Sequence, residues 1–270
     1  MDIQKAINFV NKSDSKIEIA KLNVILGNKV EENSQHLFEY YSNLQNKDGG
    51  FPHQRNIGQI STINVTTGLL HTLLDFDLEK SKPFQIGIKY LIKQQHKNGY
   101  WNEPQELLKL KPPIWDDPTN ELARIWLTAN ACHLLARTKY VTSKNLTKGI
   151  TFLLENLSEN KQLKGYFHAN WIAVGIFAIR NGKEDESTQN FVRVIKNNLD
   201  KILGTSDLAW CLHCFHTGGF HREYPIVRKM LDNLLSIQNQ DGRWISVDGQ
   251  VFDVFTTVYT LYILKSFNEF

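Results

Sequence analysis

A short phrase occurs three times along the chain: Gln45-Asn46-Lys47-Asp48-Gly49-Gly50-Phe51, Gln94-Gln95-His96-Lys97-Asn98-Gly99-Tyr100-Trp101 and Gln238-Asn239-Gln240-Asp241-Gly242-Arg243-Trp244. Each copy closes an amphipathic helical stretch and precedes, after a loop, a second and more apolar helix. Asp-Gly or Asn-Gly supplies the positive φ wanted just past a helix end. The aromatic covers the turn, and the Gln amide can satisfy backbone groups left open there. The phrase is therefore a helix-ending staple, and capping and packing account for every residue in it. Hairpins of this kind cannot bury their apolar faces alone and must stack on neighbours, so residues 1–270 are expected to form one closed domain.

Helical periodicity gives six pairs: 2–11 with 15–26, 34–45 with 63–74, 84–95 with 121–137, 146–156 with 171–180, 191–202 with 208–215, and 226–237 with 254–267. The fold class predicted is all-α, an (α/α)6 toroid, with the apolar second helices inside and the first helices outside. Two long irregular connections, 102–120 and 243–253, are the expected functional loops.

The chain is 41% hydrophobic and 11% aromatic, enough for a core and for an aromatic-lined cavity. The formal net charge of +3 comes from scattered basic residues, which gives no nucleic-acid footprint. Cys132, Cys211 and Cys214 are too few for a disulfide framework. Met1-Asp2-Ile3-Gln4-Lys5 lacks the basic and apolar regions of a leader, and a cytoplasmic setting is expected. No apolar run has membrane-spanning length, which limits membrane contact to a peripheral kind.

The stretch Ser206-Asp207-Leu208-Ala209-Trp210-Cys211, with Gly218-Gly219, the third staple and Phe252-Asp253-Val254-Phe255, resembles the closing repeats of squalene–hopene cyclases. This resemblance extends more weakly, through the staples at Gln45 and Gln94, to most of the chain after Ser34. It implies the α/α toroid shared by class II terpene cyclases and protein prenyltransferase β subunits. Class II cyclases protonate an alkene or epoxide with the central acid of Asp-x-Asp-Asp-Thr-Ala, placed where an inner helix begins. The counterpart here is Thr62-Ile63-Asn64-Val65-Thr66-Thr67, with Asn64 where that acid would stand; in Asp253-Val254-Phe255-Thr256-Thr257, Phe255 is central. Neither an amide nor a phenyl ring can protonate an alkene. The prenyltransferase zinc pattern is not matched either, since Ala209 and Thr256 occupy its cysteine and histidine positions.

Residues at inner-helix starts should gather at one mouth of a toroid: Asn64, Asp116, Asp117, Asn120, Glu121, His168, Asn170, Asp207 and Asp253. Helix capping explains any one of them, whereas several converging acids could raise a carboxyl pKa. Trp115-Asp116-Asp117-Pro118 is the strongest candidate. Its two acids could share a proton, hold Mg²⁺ against a diphosphate, or serve as first-turn helix acids. Cys211, His213, Cys214 and His216 point in different directions on a helix, which disfavours zinc.

Two classes of function follow. One is a terpene cyclase-like enzyme that folds a polyprenyl, isoprenoid substrate against aromatic walls and starts carbocation cyclisation from a non-standard acid. Its proton donors would be Asp116 or Asp117 first, then Asp253 or Asp207, with Asn64, Trp115, Trp126, His168, Trp171, Trp210, Phe255 and Tyr259 lining the substrate. No resident metal or cofactor is expected, and Mg²⁺ enters only for a diphosphate substrate. The other is a non-catalytic toroid binding an isoprenoid or a protein, or a subunit like a prenyltransferase β chain.

Overall fold

The computed structural model describes residues 1–202 and 204–270. Its α-helices are α1 (Ile3–Asn11), α2 (Lys16–Ile25), α3 (Val30–Leu44), α4 (Ile63–Asp75), α5 (Lys82–Lys93), α6 (Glu121–Ala136), α7 (Lys144–Glu155), α8 (His168–Asn181), α9 (Glu186–Asn197), α10 (Thr205–Thr217), α11 (Pro225–Ser236) and α12 (Asp253–Ser266). Two short strands, β1 (Phe51–Pro52) and β2 (Ser61–Thr62), pair antiparallel with Phe51 opposite Thr62. Among the described residues no helix is long and apolar enough to cross a membrane.

The twelve expected helices are present among the described residues, with shifted ends. α3 begins at Val30 where residue 34 was expected, and α9 begins at Glu186 where residue 191 was expected. Both first turns are polar: Glu31 and Glu32 open α3, Glu186 opens α9, and Asp185 accepts from Ser187 N at 3.0 Å. Acids suit a helix N-terminus but leave no apolar periodicity to see. At the other end α9 stops at Asn197, and residues 199–201 form a 3₁₀ turn.

The chain divides into two compact units, Phe38–Val192 and the pair of segments Met1–Leu37 with Arg193–Phe270. Within Phe38–Val192, α4, α6 and α8 pack side by side, while α5 covers α4 and α7 covers α6. Within the other unit α2, α12 and α10 form the inner row, α1 lies on α2 and α12, and α11 lies on α10. The inner helices are the expected apolar ones. In α6 every residue from Ile125 to Ala136 is buried, as is every residue of α8 from Ala169 to Ala178.

The staples hold these layers together in three near-identical constructions. Gln45 Nε2 donates to Gly49 O and to Pro83 O, both at 2.8 Å. Gln95 Nε2 donates to Gly99 O at 2.7 Å and Asn145 O at 2.8 Å, and Gln238 Nε2 to Gly242 O at 2.8 Å and Asp2 O at 3.0 Å. The second acceptor always lies at the start of another outer helix, α5, α7 or α1. The glycine makes that approach possible. At Gly99 φ is +93°, and an added Cβ would lie 2.3 Å from Lys148 O; at Gly242 it would lie 2.4 Å from Lys5 C.

The staple aromatic then locks the inner helix. Phe51, Trp101 and Trp244 donate their backbone N–H groups to Thr66, Thr128 and Thr257 Oγ1 at 2.8, 3.0 and 3.0 Å. The indoles of Trp101 and Trp244 donate to Leu91 O and Leu234 O, and both side chains are fully buried. Trp244→Ala is therefore expected to lower unfolding free energy by about 3–5 kcal/mol, measured by urea melts. An unchanged midpoint would refute the structural role of this residue.

Candidate functional site

The strand pair β1–β2 delivers the chain to the first turn of α4. Thr62, its N-cap, makes no side-chain capping bond. The two leading N–H groups go instead to Glu103: Ile63 N donates to Glu103 Oε2 and Asn64 N to Oε1, each at 2.7 Å. Glu103 follows Trp101 by two residues, so the second staple sets its position. The Asn64 side chain donates from Nδ2 to Asp116 Oδ1 at 2.7 Å. Glu103, Asp116 and His53 are 3, 6 and 4% exposed, and His53 Nδ1 has no hydrogen-bond partner among the described residues.

Burial dominates the electrostatics of this cluster. Removal from water pushes Glu103 up to about 8, against the lowering effect of its bonds from Asn64 and Ile63 N–H. Burial also raises Asp116 above the ordinary aspartate value, opposed by the Asn64 hydrogen bond and the charge of His53. Asp117 behaves oppositely. Its carboxylate accepts from Thr119 Oγ1 at 2.6 Å and Thr119 N at 2.7 Å, and these bonds hold it below the ordinary range. The neighbouring acids thus have separate partners and separate tasks: Asp116 is a buried acid, and Asp117 shapes a turn.

The loop carrying them is braced at several points. Asn102 Nδ2 donates to Pro118 O at 2.7 Å, and Asn120 Nδ2 donates to Ile114 O at 2.8 Å and Tyr166 Oη at 2.9 Å. Asn120 Oδ1 also caps α6 by accepting from Leu122 N. Trp115, expected to line substrate, is 52% exposed. Trp126 and Trp171 are buried in α6 and α8, and the Trp171 ring meets that of His168 edge to face at 4.7 Å.

Asp253, Asp207, Trp210, Phe255 and Tyr259 belong to the other unit. Asp253 is 2% exposed, accepts from Ser246 N at 2.8 Å and pairs with Arg243 at 3.4 Å. It ties the 243–253 loop to the start of α12. Phe255, Tyr259 and Tyr262 form a parallel row along α12, at centroid spacings of 6.1 and 6.5 Å, and Tyr259 Oη hydrogen-bonds His213 Nδ1 at 2.9 Å. These rings stay incompletely buried, as do Asp207 and Trp210 on α10. On α4, Asn64 and Val65 are half-buried and Gly68 is exposed. Cys211 and Cys214 are fully buried, and burial holds the Cys211 thiol well above its ordinary pKa. Among the described residues no group of three His, Cys, Asp or Glu side chains could hold a metal ion.

Sequence reasoning placed Asn64 and Asp116 at helix starts but did not foresee their bond, and it missed Glu103 and His53. One signal could have found both. They stand two places after Trp101 and Phe51, the equivalent position of successive staples.

No family model and no curated protein sequence matches this chain. Solved structures do. A protein from Actinoplanes superposes with a TM-score of 0.70 at 14% identity, covering 98% of each chain. The type II terpene cyclase MstE from Scytonema superposes with a TM-score of 0.66 at 14% identity, covering 97% of this chain and 96% of its own. A substituted form of that cyclase holding geranylgeranyl dihydroxybenzoate, its substrate, gives 0.63 at 13% identity over 99% and 96%. The likeness shows the fold: this chain has the all-α toroid fold of a type II terpene cyclase.

The Glu103 carboxyl generates a pH prediction. Its folded-state pKa of about 8 lies above the ordinary 4.5, so the folded state binds the extra proton between these values and stability falls as pH rises through that window. The slope expected from this group approaches about 1.4 kcal/mol per pH unit. Urea melts between pH 5 and pH 8 should show the decline in the wild type and a flatter profile in Glu103→Gln; equal slopes would refute the assignment.

Proposed function

We propose that the protein is a terpene cyclase-like enzyme that folds a polyprenyl substrate and starts its cyclisation by protonating an alkene from Asp116. One observation carries the reading. In the resemblance to class II cyclases, Asn64 stands in the position of the protonating acid, and its amide lies 2.7 Å from the buried Asp116 carboxyl. The acid is one hydrogen bond away from where the motif would put it, supplied by a loop instead of the helix.

The chemistry follows from the environment. Burial favours the protonated form of Asp116, which keeps a proton available for transfer. Asp116 O–H gives that proton to a terminal alkene carbon, a C–H bond forms from the π electrons, and a tertiary carbocation remains opposite the new carboxylate. The Asn64 N–H donated to Oδ1 becomes stronger as charge develops there, and a protonated His53 would add attraction, so both favour the transition state over the ground state. Loss of a carbon-bound proton to water, with the C–H electron pair forming a new double bond beside the cation, would close the reaction. A second reading, a toroid that binds an isoprenoid without converting it, is favoured by the amide at position 64.

Asp116→Asn should reduce turnover of geranylgeranyl dihydroxybenzoate by about 10²–10⁴-fold with little change in folding, whereas Asp117→Asn should stay within a few-fold of wild type. Product analysis by mass spectrometry and chromatography checks this. Full activity in Asp116→Asn would sink the donor assignment, and wild-type binding without conversion would establish the second reading. Because the donor must be protonated, the rate should also fall as pH rises past a midpoint above the ordinary aspartate value of about 3.9.

A further inference from the structure

The position two residues past each staple aromatic holds a buried polar side chain: His53, Glu103 and Ser246. In the unit containing α12, Ser246 uses only its backbone N–H toward the adjoining helix start, donating to Asp253, the first residue of α12 itself. At α4 the arrangement is reversed and more costly. The local N-cap Thr62 leaves its hydroxyl buried and without a hydrogen-bond partner among the described residues, and a carboxyl from 40 residues away takes both leading N–H groups. An aspartate or serine at position 62 would cap α4 without burying a distant carboxyl.

We propose that Glu103 is a positioning residue for the acid Asp116, acting through Asn64; the inference rests on the reading of Asp116 as donor. Asn64 is gripped at both ends, its backbone N–H by Glu103 Oε1 and its side-chain amide by Asp116 Oδ1, each at 2.7 Å. Trp101, locked to Leu91 O and Thr128 Oγ1, leaves Glu103 little freedom. The first turn of α4 is thereby registered against the second staple, and the Asn64 amide is aimed at Asp116. A displacement of about 1 Å in such a link is enough to cost a large factor in rate.

The test uses the full chain, with geranylgeranyl dihydroxybenzoate as probe substrate. Glu103→Gln is expected to lower kcat by about tenfold or more with KM unchanged. The Asn64 side-chain amide resonance in ¹H–¹⁵N spectra should move toward the position it takes in Asp116→Asn. A resonance unmoved from its wild-type position would overturn the inference. If Glu103→Gln fails to fold, adding Thr62→Asp supplies a local cap. In that double variant a displaced Asn64 resonance with depressed turnover supports positioning, and recovered turnover overturns it in favour of simple capping. A wild-type protein that does not convert the substrate defeats the donor reading alone, and the resonance comparison then decides the role of Glu103 by itself.

Discussion

Each staple glutamine divides its two amide hydrogens between its own turn and the first turn of another outer helix, and the rest of the structure is built on that division. Without the second acceptor a hairpin would be capped but not placed. With it, the end of one outer helix fixes where the next begins, while the backbone of the staple aromatic fixes an inner-helix threonine. The glycine contributes in two ways. It adopts a positive φ, and its missing Cβ is the space occupied by the next outer helix.

The candidate site inherits its geometry from this scaffold. Glu103 and His53 take their places because they follow a staple aromatic by two residues, and Asp116 reaches Asn64 from a loop braced by Asn102 and Asn120. Sites set on rigid elements and supported by further hydrogen bonds can hold a proton donor in a fixed orientation. In this cluster burial outweighs hydrogen bonding at both carboxyls, raising Glu103 to about 8 and Asp116 above the ordinary aspartate value. The adjacent Asp117 shows how local the effect is, because two bonds from Thr119 give it the opposite tendency.

Another of the acids singled out at helix starts, Asp253, has structural partners. Asp253 pairs with Arg243 and holds the 243–253 loop through Ser246, so its carboxylate has a structural task in the ground state. The row Phe255, Tyr259 and Tyr262 arises from i, i+4, i+7 spacing on α12, the repeat that puts side chains on one helical face. The buried Cys211 of α10 is a packing group, since burial disfavours the thiolate that metal binding needs.

The sequence by itself determined the all-α class, the twelve helices and the choice of apolar helices for the inner rows. Those properties depend on local spacing, caps and turns, which leave a mark at every repeat. It also located Asn64 as an amide in an acid's position, because a motif departure is visible in one line of residues. Tertiary structure alone decided that Asp116 and not Asp117 is the buried acid, that Asn64 touches it, and that Glu103 caps a helix 40 residues upstream. Burial and hydrogen bonding at a carboxyl are set by residues distant in sequence, and adjacent aspartates look alike until the fold removes water from one and supplies donors to the other.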